Sequence, residues 1–164
     1  MKIVWMLIAL VCVAMAGCAQ RRASVSDLIN EKAALSEGLP FDPLQWKIVS
    51  TSINERDSTM SSLYGNDVAA LHARTDPQHP YPAGSVLSLV TWFQQEDDHW
   101  FGARIPGQVK SVEFITVDSI SNSTPSYSYQ LYEGAPLKRV FSDDASGINF
   151  RIGYVLDQRA SVMP

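Results

Sequence analysis

Three histidines, His72, His79 and His99, are the side chains of this 164-residue chain that could offer a metal an imidazole. His72 falls on a short predicted helix, where a surface hydrogen bond and an axial-ligand role are both open to it. His79 lies between Gln78 and Pro80 and suits the mouth of a pocket. His99 follows Glu96, Asp97 and Asp98, which read either as oxygen and nitrogen donors for a divalent metal or as a solvated turn. Arg74 and Arg104 are the cations suited to an anionic ligand group such as a propionate. Trp92 heads a set of aromatics, with Phe93, Trp100, Phe101, Phe114, Tyr127, Tyr129 and Tyr132, that would pack a sheet interior or surround a cavity for a flat apolar ligand. The chain has no Gly-x-Ser-x-Gly elbow, so serine hydrolysis has no support.

The thiols bear on location. Lys2 precedes an apolar run from Ile3 to Met15, and the small residues Ala16 and Gly17 lead into Cys18. That order is an export signal, and its apolar part is shorter than the ~20 residues that span a bilayer. Met15-Ala16-Gly17-Cys18 resembles the bacterial lipobox, with Met15 where Leu is usual. The expected products are a signal peptide, residues 1–17, and a lipoprotein whose first residue, Cys18, carries fatty acyl chains such as palmitate. Each buried methylene of such a chain contributes roughly 0.8 kcal/mol, so several chains hold a protein at the membrane. A plain secretory signal cut near Ala16 is the other reading. Ala19, rather than Asp, follows the cysteine, and by resemblance to sorted lipoproteins this points to the periplasmic face of the outer membrane. With Cys12 removed and Cys18 acylated, the mature domain has no thiol for catalysis, for a cluster or for zinc.

Composition is that of a globular domain, 46% apolar and 18% charged with net charge −4, and no basic patch marks a nucleic-acid partner. Residues 18–40 read as lipidated cysteine, tether and a short helix capped by Asp27, with Leu28, Ala33, Ala34 and Leu35 at helical spacing. Residues 41–164 read as one domain. Alternation begins at Trp46, turns at Asn54 to Ser58 and returns over Thr59 to Tyr64. Gly65-Asn66-Asp67 starts a helix that runs to Arg74, and the three prolines between Thr75 and Gly84 make a loop. Strands follow over Ser85 to Gln94, Trp100 to Ile105, Val109 to Val117 and Tyr127 to Tyr132, with Pro106-Gly107 and residues 119–126 as turns. The class is α+β, mainly an antiparallel sheet with two short helices.

Trp46-Lys47-Ile48-Val49, Thr59 to Tyr64, Gly65-Asn66-Asp67-Val68-Ala69 and Tyr81-Pro82-Ala83-Gly84-Ser85-Val86-Leu87 with Thr91-Trp92 together resemble the cytochrome P460 family. The resemblance runs from about Pro43 to about Tyr132. It implies a mostly β fold with a few helices, and for the haem-bearing members hydroxylamine oxidation or nitric oxide binding in the periplasm. Those members attach haem through a C-terminal Cys-x-x-Cys-His and a porphyrin-linked lysine. Here no cysteine follows Cys18, no lysine lies between Lys47 and Lys110, and Leu89 stands about where the lysine is expected. Covalent haem is therefore not expected, non-covalent haem stays open, and no catalytic residue carries over.

The expectation is a membrane-anchored protein that binds a small apolar or haem-like ligand rather than an enzyme. The alternatives are a scaffold for another envelope protein and haem-dependent chemistry. Mass spectrometry of the mature N-terminus is expected to find acyl chains on Cys18, and Cys18→Ser to release the protein from the membrane fraction. An unmodified thiol there contradicts the reading.

Overall fold

The alternating stretches from Trp46 onward pair as one antiparallel meander. Its strands are β1 (Lys47–Asn54), β2 (Thr59–Gly65), β3 (Val86–Glu96), β4 (Arg104–Ser121), β5 (Thr124–Glu133) and β6 (Lys138–Val140), and each lies beside its sequence neighbours. Two helices accompany them, α1 (Asp67–Thr75) and α2 (Ala145–Leu156). The computed structural model describes residues 29–121 and 124–161. The α+β, mainly antiparallel architecture agrees with the sequence.

Both faces of the sheet are covered. On one, Leu63, Leu87, Leu89, Ile115 and Val117 pack beneath Ala69 and Ala73 of α1 and Ile152 and Val155 of α2. On the other, Val90, Trp92, Val112, Phe114 and Tyr132 form a second core. The segment before β1 lies across that second face, with Ala33, Leu35, Leu39 and Trp46 turned onto it. Its attachment is specific: the Trp92 indole donates to the Ala33 carbonyl at 2.9 Å, and Phe114 meets the rings of Phe41, Trp46 and Tyr132 at centroid distances of 5.9, 6.4 and 6.0 Å. A buried indole satisfied in this way loses none of its stabilisation to an unmade hydrogen bond.

That packing overrides local helix propensity. Of the helix expected from Asp27, the described residues hold only a 3₁₀ turn, Glu31–Ala33, followed by extended chain; Asp27 and Leu28 lie outside them. An extended strap turns Ala33, Leu35 and Leu39 onto the sheet, and the aromatic face rewards that more than a free helix would be rewarded.

Pro106-Gly107 is not a turn either. Both residues lie within β4, at register shifts opposite Trp92 to Gln94. A bulge tolerates proline, and a Cβ on Gly107 would stand 3.0 Å from the Phe93 carbonyl oxygen. The reversal instead occupies residues 97–103, so Trp100 and Phe101, expected in a strand, stand in a loop. Strands β4 and β5 also continue into the segment expected as a turn, pairing as far as Ser121 with Thr124.

Candidate functional site

Asn66 organises the region around α1. Its side-chain oxygen accepts from Ala69 N at 3.0 Å and Val86 N at 3.2 Å, and its amide donates to the Gly84 carbonyl at 2.9 Å. The first bond caps the helix and the other two tie the end of the proline loop to the helix start. Gly84 closes the loop at φ +85°, a region that favours glycine.

Between α1, this loop and α2 lies a cavity of about 540 Å3, with Tyr81, Tyr127, Ile152 and Leu156 among its walls. His72 and His79 come together here, as their separate positions in the sequence did not require. The His72 ring lies 4.9 Å from that of Tyr81, and its Nε2 is 2.9 Å from the His79 carbonyl, a bond that places the proton on Nε2. His79 Nδ1 is 2.5 Å from an Asp76 carboxylate oxygen. This leaves His79 Nε2 without a partner from that pairing, in the orientation that carboxylates impose on metal-binding imidazoles.

Two further residues line the cavity that sequence patterns did not single out, because they follow the last helix in a stretch with no motif. Arg159 donates to the Pro77 carbonyl at 2.7 Å. Gln158 accepts from Ser50 Oγ at 2.6 Å through its oxygen, while its buried Nε2 has no partner. Such a donor costs roughly 1–3 kcal/mol when left unmade. Burial raises the Tyr81 and Tyr127 phenols above the ordinary tyrosine range, with Arg159 pulling Tyr81 partly back. Both therefore stay neutral hydrogen-bond donors at neutral pH.

The other expected ligand residues lie elsewhere. Arg74 reaches the Ile48 carbonyl at 3.4 Å. Arg104 faces Glu96 at 3.4 Å, at the base of the β3–β4 loop. Trp92 is buried against the N-terminal strap on the opposite face. His99 is exposed, with Nδ1 3.4 Å from Asp97, and among the described residues no three His, Cys, Asp or Glu side chains gather around a metal position. None of these four joins the cavity, because each is engaged elsewhere: Arg74 with β1, Arg104 with Glu96, Trp92 with the strap and His99 with its own loop.

A second cluster lies on the same sheet face, past the middle of α2. Glu113, only 4% exposed, is opposite Leu89 on β3 and Leu131 on β5. Arg151 of α2 grips its carboxylate with Nη2 at 2.6 Å and Nε at 3.0 Å, and the Tyr129 hydroxyl donates to it at 2.7 Å. The carboxylate raises the Arg151 pKa. Burial first, and then the same carboxylate, push the Tyr129 phenol well above the ordinary range. The shallow basin beside the cluster, about 350 Å3, is lined by Leu89, Lys110, Glu133 and hydroxyls of β2 to β4.

A family model, Cytochrome P460, matches residues 42–147, more than half of the chain. The chain belongs to the cytochrome P460 family. No curated protein matches it. The family suggests haem, so the P460 domain can be tested for residues that would hold one. At Leu89, where the porphyrin-linked lysine is expected, it does not fit. No thiol is present after Cys18, no histidine lines the basin, and the Glu113–Arg151 pair stands beside Leu89 where a porphyrin needs an apolar slot. The Tyr129 hydroxyl is engaged, donating to Glu113 at 2.7 Å. The cavity at His79 offers one imidazole suitable for a non-covalent group.

Breaking the Glu113 cluster separates its cost from its value. Arg151→Met strands a buried carboxylate and is expected to lower stability in urea by roughly 2–4 kcal/mol, the range discounted for the partial exposure of Arg151. The triple variant E113L/R151M/Y129F is expected to recover most of that loss; an equal loss in both would show that the pair itself is net stabilising. The raised Tyr129 pKa adds stability that is fully present below the unfolded tyrosine value of about 10 and is lost as pH climbs toward the folded one. Alkaline unfolding of Tyr129→Phe should be correspondingly flatter above that pH.

Proposed function

We propose that this P460 domain is an envelope-anchored lipoprotein that works without covalent haem. It binds a small, partly apolar ligand carrying an anionic group in the cavity between α1, the proline loop and α2. The observation that supports this most is that one cavity brings together the Arg159 guanidinium, the neutral Tyr81 phenol and the Asp76-paired His79 imidazole beside the aliphatic walls of Ile152 and Leu156. Arg159 supplies the cation that Arg74 or Arg104 was expected to supply, and the Tyr81 hydroxyl supplies a neutral donor. Haem belongs to the ligand class that fits, since it is flat, apolar and bears propionates; His79 would hold its iron, which would supply redox or gas-binding chemistry. Any other flat apolar anion meets the same groups.

Gly153 provides a clean test, because a Cβ there meets nothing within 4 Å and replacing a helical glycine generally stabilises. Gly153→Leu is expected to fill cavity space without unfolding the protein. Haemin and anilinonaphthalene sulfonate are titrated separately into the mature protein by absorbance and fluorescence. At least one should bind saturably, with affinity falling about tenfold or more, ~1.4 kcal/mol, in Gly153→Leu and Arg159→Ala and unchanged in Arg104→Ala. A Soret band lost in His79→Ala assigns haem, whereas binding of the sulfonate alone assigns a haem-free role. Binding insensitive to both cavity variants, or no binding of either probe, overturns the proposal.

A further inference from the structure

The loop between β3 and β4 holds Trp100 at 72% exposure and Phe101 fully exposed, outside both core clusters. Leaving two large rings in water forgoes the stabilisation that burying them would give, and such exposed apolar groups mark contact surfaces. The loop is held by its own bonds. Asp97 N donates to Ala103 O at 3.1 Å, Ala103 N to Trp100 O at 3.0 Å, and His99 N to the Asp97 carboxylate at 2.8 Å. The rings are thereby presented at the end of a hairpin.

The N-terminal strap leads toward the same end. Ala33 accepts from Trp92, whereas Asn30 donates through Nδ2 to the Pro106 carbonyl at 2.6 Å, and Pro106 pairs with Gln94. Followed backward toward Cys18, the chain climbs the hairpin from the level of Trp92 to that of Gln94. Two more strand residues, roughly 7 Å, separate that level from the loop. The stretch from Cys18 to Asn30 can reach at most about 40 Å, so an acyl group on Cys18 and the aromatic tip can meet one surface.

We propose that Trp100 and Phe101 insert into the interfacial zone of the bilayer that holds the lipid on Cys18 and so fix the domain's orientation at the membrane. The proposal rests on the lipoprotein reading. Tryptophan favours the headgroup boundary, where its ring is buried and its N–H stays wet. Glu96 faces Arg104 at 3.4 Å and Asp97 lies 3.4 Å from His99, so charges beside the rings are paired within the loop.

The test places the mature lipoprotein in phosphatidylcholine vesicles with brominated acyl chains. Trp100 emission should shift to the blue and be quenched, Trp100→Phe should lose that component, and the remaining Trp46 and Trp92 emission should be indifferent to bromine. Circular dichroism should show the variant folded. Mass spectrometry of the same sample reads the N-terminus. Lipid on Cys18 with an unquenched Trp100 overturns the insertion alone, including the case in which another envelope protein covers the tip. An unacylated Cys18 overturns the anchoring reading and the insertion with it.

Discussion

One asparagine holds the helical side of the fold in place. Asn66 caps α1 at Ala69, accepts from the first residue of β3 and donates to Gly84, so the start of a helix, the end of a loop and the start of a central strand share one side chain. Gly65 precedes it because a Cβ would stand 3.1 Å from Ala69 Cβ and Ala70 N. The two most specific pieces of the family resemblance, Gly-Asn-Asp and Tyr-Pro-x-Gly, are thus the two halves of one latch. Their presence follows from the fold and needs no catalytic role. The same latch sets the proline loop opposite α2 and thereby shapes the cavity that Tyr81 and His72 line.

The second constraint is the buried carboxylate of Glu113. A charge at 4% exposure stands only if it is paired, and Arg151 and Tyr129 together satisfy both of its oxygens. Arg151 comes from α2, most of which lies past the family match, so the cluster joins the P460 sheet to a helix beyond the matched region. The pair also lies beside Leu89, the position that resemblance links to porphyrin. Where haem-bearing relatives are expected to attach a cofactor, this chain has a leucine and a charged clasp, and its open volume lies farther along α2.

Much of this was legible in the chain. The Trp46 alternation, the turn after Asn54, the capped helix at Asp67 and the proline loop follow from period and turn chemistry, and all stand where those rules put them. The failures share a cause, tertiary context overriding a local signal. Leu28, Ala33, Ala34 and Leu35 read as a helix, whereas the Phe114 face draws Ala33, Leu35 and Leu39 inward from an extended strap. Pro106-Gly107 reads as a turn until the neighbouring strand supplies a bulge. Local propensity predicts no helix over α2, because Gly147 and Gly153 lower it, although Ile148, Ile152 and Val155 keep helical spacing. Arg159 and Gln158 carried no signal, since only the docking of α2 brings them to His72 and His79.

The central claim is a P460 fold that functions without covalently attached haem, and acid–acetone extraction of protein from haem-replete cells tests it most directly. Any pigment should pass wholly into the organic phase, leaving a polypeptide without Soret absorbance and with the mass of its sequence plus its acyl chains. Haem that stays with the denatured polypeptide contradicts it.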